Sequence, residues 1–466
     1  MQSVLFISKE KPEKYPQIDS HYTWVPLHGK ITYELFSEYW HLHKPLALFT
    51  FGTDLPTHIF SKIFFIRKRW IHFDTIPDNL NVIPTIFSAM LGHPYDKDHP
   101  LFSIITTTFH SKHKILRPLR SLQAQSYTNW EWIIWDDSKD NETYEQLLML
   151  QKKDLRIRVY KAPQHSGVIG EMKRLASGLA QGAFIVEVDH DDDLHSDLLR
   201  WIKEASDAHP EADFFYTDSC EPNEETYESA TYGDFFGFGY YAHANVWSDL
   251  HQRYLATAVV APPNAITLQH LVGLPNHVRC WRTAFYDKIG KHNPLLSVSD
   301  DYDLLVRSYL HGKYCHIRAT GYYQYRNKDG NFTFLRNSLI QHNVKHIYEY
   351  YQHSLPARHP DIPIEPRWKY EGPEYPETHI KFIPPEFRYN RMVALFDPSK
   401  ERILEELKNQ RDSGKSFHLL IMGKVDTLDP QDAKHITWWE LSSKEKKHKK
   451  CYIETFLHTS GELIYA

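Results

Sequence analysis

A mostly parallel α/β sheet with helices on both faces is the fold class this sequence predicts, and three observations predict it. From about residue 99, apolar runs short enough for strands alternate with longer segments of helical spacing. Several of these runs break abruptly into acids at their carboxyl ends, where an open α/β sheet collects its ligands. The composition, 41 % hydrophobic and 24 % charged over 466 residues, is that of an ordinary globular chain of two or three domains.

The elements follow in order. LFSIITTT (101–108) reads as a strand, and SKHKILRPLRSLQAQS (111–126) places Ile115, Leu116, Leu119 and Leu122 at helical spacing. WEWIIWDD (130–137) is a second strand ending in two acids, followed by a helix through Tyr144, Leu147 and Leu148. RIRVYKA (156–162) is a third strand, and GEMKRLASGLAQG (170–182) a helix closed by Gly182. A strand then runs into the acids of 189–193, and a helix over 194–207 and the strand ADFFYTD (212–218) complete the alternation.

Beyond Asp218 the pattern loosens into GDFFGFGYYAH (233–243), whose interleaved glycines and aromatics predict a mobile loop over a site. Order returns at VRCWRTAFYDKIG (278–290) and SDDYDLLVRSYLHGK (299–313). The implied organisation is an N-terminal region over 1–97, a central domain over 98–353, a Pro-rich linker over 354–377 and a C-terminal region over 378–466. The two outer regions read as small α/β appendages, with strands such as SVLFIS and FHLLIM and the helix KERILEELKNQ (400–410).

Charge and cysteines narrow the function classes. A formal net charge of −5 supplies no general attraction to nucleic acid or anionic membrane. Cys220, Cys280, Cys315 and Cys451 are scattered without a CxxC pair, so neither a zinc site nor a disulfide framework is expected. No secretory signal and no uninterrupted apolar stretch of about 18 residues is read, which points to a soluble cytoplasmic protein, compatible with peripheral membrane association.

FIVEVDHDDD (184–193) carries the chemistry. Asp189, Asp191, Asp192 and Asp193 crowd the end of an apolar run, and packing like charges costs free energy unless a cation or proton is shared among them. A solvated acidic turn is the plain alternative. A calcium loop starting at Asp189 would need Gly at its sixth position and a carboxylate at its twelfth, where Leu194 and Arg200 stand. The solvated turn stays open beside a hard divalent cation that in turn holds a phosphate.

Order and spacing of the motifs over roughly 100–350 resemble the family 2 glycosyltransferases of the GT-A fold. The matching features are Thr106, Thr107 and Thr108 at the first strand's end, Asp136–Asp137 at the second, and SGVIGEMKR with Gly167, Gly170 and Lys173. Asp189 to Asp192 with Leu194 and Asp197 resemble the metal motif, and Asp300, Asp301, Asp303, Leu304, Arg307 and Gly312 the acidic pair with its following helix. His190 and Asp193 depart from that pattern, and the stretch from Glu221 to about Val259 is long.

The resemblance implies an inverting transfer of sugar from a nucleotide-diphosphate donor to a saccharide or other hydroxyl acceptor, with Mn²⁺ or Mg²⁺ as cofactor. It implies Asp192 as the foremost metal ligand, Asp191 as a ribose- or metal-contacting acid, and Asp189 as an outer partner. Thr106 and Thr107 would line the nucleotide. Asp137 would accept the imide N–H of a uracil, favouring a UDP-sugar, and Lys173 would meet base or phosphate. Asp301 would be the general base, ionised by the helix N-terminus it opens. Helix capping is the alternative for Asp300 and Asp301. A silent nucleotide-sugar-binding scaffold and a metal-dependent phosphohydrolase are the competing functions.

Overall fold

The structure, a computed structural model, describes residues 2–18, 20, 22–43, 45, 47–53, 70–78, 80, 99–154, 156–231, 241–260, 263, 268, 275–327, 336–355, 379–425, 428–440 and 459–465. Of the aromatic loop read at 233–243, residues 233–240 lie outside the described residues, as does the Pro-rich linker from 356 onward. The chain divides into two compact units, Met1–Leu101 with Gly178–Ala183, and Phe102–Ser177 with Phe184–Ala466.

The first unit holds a four-stranded sheet of β1 (Gln2–Ser8), β2 (Tyr22–His28), β3 (Ala47–Phe51) and β4 (Trp70–Phe73) in the order β2-β1-β3-β4. All three pairings are parallel. Period-two alternation sends Leu5, Ile7 and Leu48 to one face, where Phe36 of the helix Tyr33–His43 packs, and Val4, Phe6, Phe49 and Phe51 to the other.

In the second unit β5 (Phe102–Thr108), β6 (Trp130–Asp136), β7 (Ile157–Lys161) and β8 (Phe184–Glu187) form the parallel heart that the sequence predicts. β6 is buried at every position, the signature of a strand covered on both faces, which explains why WEWIIWD is apolar almost throughout. The chain continues through β9 (Asp193–Leu194), β10 (Phe214–Cys220), β11 (Tyr241–Ser248), β12 (Arg253–Val260), β13 (Arg279–Arg282) and β14 (Tyr314–Tyr323). It closes with β15 (His379–Phe382), β16 (Tyr389–Phe396), β17 (Phe417–Met422), β18 (Ile436–Trp439) and β19 (Thr459–Tyr465).

The main path of this sheet is β19-β16-β17-β18-β11-β12-β10-β13-β8-β5-β6-β7, with β14 pairing β10, β15 and β9. β13 is inserted antiparallel between β8 and β10. Such a strand, which leaves no βα rhythm in the sequence, was not among those expected. The strands of 379–465 continue the same sheet, because β18 pairs β11 through Asn245↔Trp438 and Val246↔Thr437. Ala244 of β11 packs with Met392, Leu420 and Trp439 in one apolar cluster.

The helix read over 170–182 runs Ile169–Gly178 and so ends before Gly182. Its first turn is pressed against another segment: the Gly170 N–H donates to the Leu296 carbonyl at 3.0 Å, and a Cβ at Gly170 would lie 2.0 Å from the Asn293 carbonyl oxygen. Both neighbours are backbone, which cannot swing away. Gly170→Ala is therefore expected to destabilise the fold by about 1–3 kcal/mol, the usual cost of overpacking. A urea midpoint unchanged from wild type would show that the segment 293–296 yields freely.

Candidate active site

The carboxyl ends of β5, β6 and β8 lie side by side because the strands are parallel and in register, so the acids read from the sequence converge on one end of the sheet. At β6, Asp137 is buried, and its two carboxylate oxygens accept the N–H groups of Ser166 (2.8 Å) and Gly167 (2.9 Å). His165 Nδ1 stands 3.0 Å from the same carboxylate. Gly167 has φ +67°, a left-handed turn that glycine adopts without strain. Asp136 accepts the Ser138 hydroxyl at 2.5 Å and faces Lys161 at 3.2 Å.

At β5, the Thr106 hydroxyl is engaged on both sides. It donates to the Val188 carbonyl and accepts from the Trp132 indole N–H, each at 2.8 Å, and the residue is buried. Thr107 is half-buried.

The acid cluster separates by environment. Asp192 is buried, with its oxygens accepting the Tyr325 N–H (2.8 Å) and the Tyr322 hydroxyl (2.9 Å). Burial, reinforced by the charges of Asp191 and Asp189, pushes its carboxyl well above the usual range. Asp189 is more open, its side chain 36 % exposed, and its N–H donates to the Tyr322 hydroxyl. Asp191 accepts from Asn327 at 3.1 Å, and its carbonyl accepts from Arg117 at 2.9 Å. Asp193 accepts the Tyr325 hydroxyl.

Behind the acids lies a buried ionic cluster. Lys173 pairs directly with Glu187 and stands 3.4 Å from Asp300. Arg279, at the start of β13, reaches Asp301 at 3.0 Å and Glu187 at 3.6 Å. Burial disfavours the Lys173 ammonium, yet Asp300 and Glu187 outweigh it and hold the pKa above its ordinary value. Burial likewise disfavours the Glu187 carboxylate, but Lys173 and Arg279 bring its pKa well below the usual range. His292, kept neutral by burial, lies 3.6 Å from Asp300.

Asp300 and Asp301 open the helix Asp300–His311, and the structure drives them apart. Asp300 is buried, and burial lifts its pKa to about 7, Lys173 opposing the rise and Asp301 adding to it. Asp301 is 28 % exposed; burial acts upward, but Arg279 and Lys173 prevail and hold it below its ordinary value. Neither acid is the cap: that position belongs to Ser299, at φ +62°, which makes no side-chain cap bond. Asp301 Oδ1 instead accepts the N–H of Tyr302 at 2.8 Å.

Of the residues singled out from the sequence, Lys173 and Asp301 share the ionic cluster, Asp189 borders it through His277, and Asp137, Thr106 and Thr107 sit at the neighbouring strand ends. The sequence reading missed Glu187, His277, Arg279 and His292. Glu187 left a signal, a lone charge two residues before Asp189 and so on the same side of a strand. His277 and Arg279 come from the start of β13 and the residues before it, and His292 follows the helix Thr283–Lys288.

Residues 103–257 match the family model described as Glycosyl transferase family 2. Among similar proteins, an uncharacterized protein of Sinorhizobium fredii is 36 % identical over 121 residues, 26 % of this chain and 13 % of its own length. A putative colanic acid biosynthesis glycosyl transferase of Escherichia coli is 33 % identical over 97 residues, 21 % of this chain and 34 % of its own. A putative teichuronic acid biosynthesis glycosyltransferase of Bacillus subtilis is 33 % identical over 100 residues, 22 % of this chain and 39 % of its own. The chain thus covers well under two thirds of each relative. The structure of Staphylococcus aureus TarS residues 1–349 with UDP-GlcNAc aligns with 48 % of this chain and 58 % of that one, at 21 % identity and a TM-score of 0.36.

The described residues of the second unit thus form a largely parallel α/β sheet with acids gathered at its strand ends, the arrangement expected of a GT-A type domain. The match makes residues 103–257 similar to a family 2 glycosyl transferase domain.

Proposed function

We propose that this protein transfers a sugar from a nucleotide-diphosphate donor, a UDP-sugar by preference, to a hydroxyl of a saccharide or similar acceptor in polysaccharide synthesis. The observation that carries this reading is the Asp300–Asp301 pair. One carboxyl is raised by burial, and the other is kept ionised and part-exposed by Arg279, the arrangement a general base needs. Two similar proteins named for colanic and teichuronic acid biosynthesis support the polysaccharide context.

Asp301 would take the acceptor hydroxyl's proton as its oxygen attacks the anomeric carbon. One base and no covalent nucleophile gives displacement with inversion. Asp189 and Asp191 would hold Mn²⁺ or Mg²⁺, because their carboxylates are the more open ones. Asp192, whose oxygens already accept from Tyr322 and Tyr325, fits a supporting place beneath them better than the leading one. A bound cation would offset the charge that develops on the leaving diphosphate.

Thr107 and Asp137 border the nucleotide side. A carboxylate offers about four lone-pair sites, so the two backbone bonds to Asp137 leave room for a uracil imide N–H. Thr106 and Lys173 act from beneath, the first tying β5 to the segment after β8 and the second neutralising Glu187 and Asp300. Among the described residues no helix is long and apolar enough to cross a membrane.

The test is incubation with a panel of sugar nucleotides, reading nucleotide release with and without saccharide acceptors and with EDTA. Acceptor-dependent release that EDTA abolishes is expected. Binding without turnover would indicate a scaffold, and acceptor-independent phosphate release a phosphohydrolase.

A further inference from the structure

We infer that His277 is a protein ligand of the divalent cation alongside Asp189, an inference that rests on the metal-dependent reading above. β13 pairs antiparallel with β8 in the register Arg279↔Glu187 and Cys280↔Val186. Continued two residues past the strand ends, that register sets His277 opposite Asp189, on the side already occupied by Glu187 and Arg279. The side chains meet as the register requires: His277 Nε2 lies 3.7 Å from Asp189 Oδ2 and 4.0 Å from Glu187 Oε1. One ligand atom from each of Glu187, Asp189 and His277 falls within 4.8 Å of the others.

The imidazole is buried, and among the described residues neither of its ring nitrogens has a hydrogen-bond partner. A buried polar group left so is costly, which makes it a signature of a ligand that binds there. The ring is also held in place, stacked on Tyr322 at 4.8 Å between centroids and 22° between planes. Tyr322 in turn bonds the Asp189 N–H and the Asp192 carboxylate, so one tyrosine orients the imidazole and both acids. Glu187 is already paired with Lys173 and Arg279, and it acts as a charge behind the ion. A mixed imidazole and carboxylate donor set suits Mn²⁺ better than Mg²⁺ or Ca²⁺, which favour oxygen alone.

The experiment uses Mn²⁺ as its own probe on the full chain without nucleotide. Titration followed by electron paramagnetic resonance gives the affinity, and electron spin-echo modulation detects a ligand ¹⁴N. Wild type is expected to show nitrogen coupling. His277→Gln should lose it and bind Mn²⁺ at least about 10-fold more weakly, with a smaller effect on Mg²⁺ measured by competition. His190→Gln, which alters the imidazole beside Asp191, should keep the coupling.

Bound Mn²⁺ with no nitrogen coupling in wild type, or coupling retained in His277→Gln, overturns the inference and leaves the proposed reaction standing. Wild type that binds no Mn²⁺ with or without UDP removes the cation from both. If His277→Gln does not fold, the wild-type spectrum and His190→Gln decide: coupling lost in the latter assigns the nitrogen to His190.

Discussion

Asp301→Asn is expected to lower turnover by about 10²–10⁴-fold, the usual loss for a general base, while the affinity for the donor nucleotide stays near wild type. The substitution keeps the shape of the side chain and the acceptor that receives the Tyr302 N–H. It removes the charge that faces Arg279, so some loss of stability accompanies it, and a urea titration beside the kinetics separates the two effects. Nucleotide affinity and turnover falling together would indicate a structural group.

The pH profile adds a second discrimination. Asp301 lies below its ordinary value of 3.8, so turnover should hold as pH falls through 6 and 5. An acid limb near pH 7 would instead assign the proton transfer to Asp300, whose pKa burial lifts to about 7.

The second large effect is on stability. Lys173→Met is expected to cost about 3–5 kcal/mol, because removing one partner of a buried pair leaves the other uncompensated. Arg279 stays 3.6 Å from Glu187, which places the result toward the lower end of that range. The sign against pH follows from the shifts. Glu187 is depressed well below 4.5, so its contribution is fully present above that value and is lost as pH falls below it toward the depressed folded value. Lys173 is raised above 10.5, so its contribution is present below that value and is lost at higher pH.

The gap between wild type and variant should therefore be broad across neutral pH and shrink in acid. Asp300 works the other way: raised from 3.8 to about 7, it favours folding at low pH, and stability declines between those values as it is forced to ionise. Without Lys173, which opposes the rise, that decline should extend to higher pH. Urea midpoints at pH 4 and pH 8 check both slopes, and a variant as stable as wild type at pH 8 would show the ammonium to be dispensable.

These expectations draw on parts of the site that were unequally legible in the sequence. β5, β6, β7 and β8 could be read because each is a local apolar run followed by a helix of matching length. The strand-end acids could be read for the same reason, being contiguous with their strands. What each acid does could not. The groups that donate to the buried Asp192 carboxylate, on Tyr322 and Tyr325, come some 130 residues later in the chain. The ionised state of Asp301 depends on Arg279, carried by an antiparallel strand with no periodic signature. Thr106 was placed at the correct strand end, but the partners that occupy its hydroxyl, Trp132 and Val188, belong to two other segments. Sequence periodicity reports which way a residue points along its own element; it carries no information about which partner arrives from elsewhere.

The pairing of β18 with β11 bears on how the chain can be shortened. Removing everything after the helix Asn337–Tyr351 would strip β11 of its neighbour on one side, leaving an open backbone donor and acceptor at Asn245–Val246 and Ala244 without its apolar cover. β14 would lose its pairing with β15 in the same cut. A freshly bared strand margin of this kind is a template onto which another copy can add. Such a truncated protein should self-associate in a concentration-dependent way, with its family 2 domain otherwise intact.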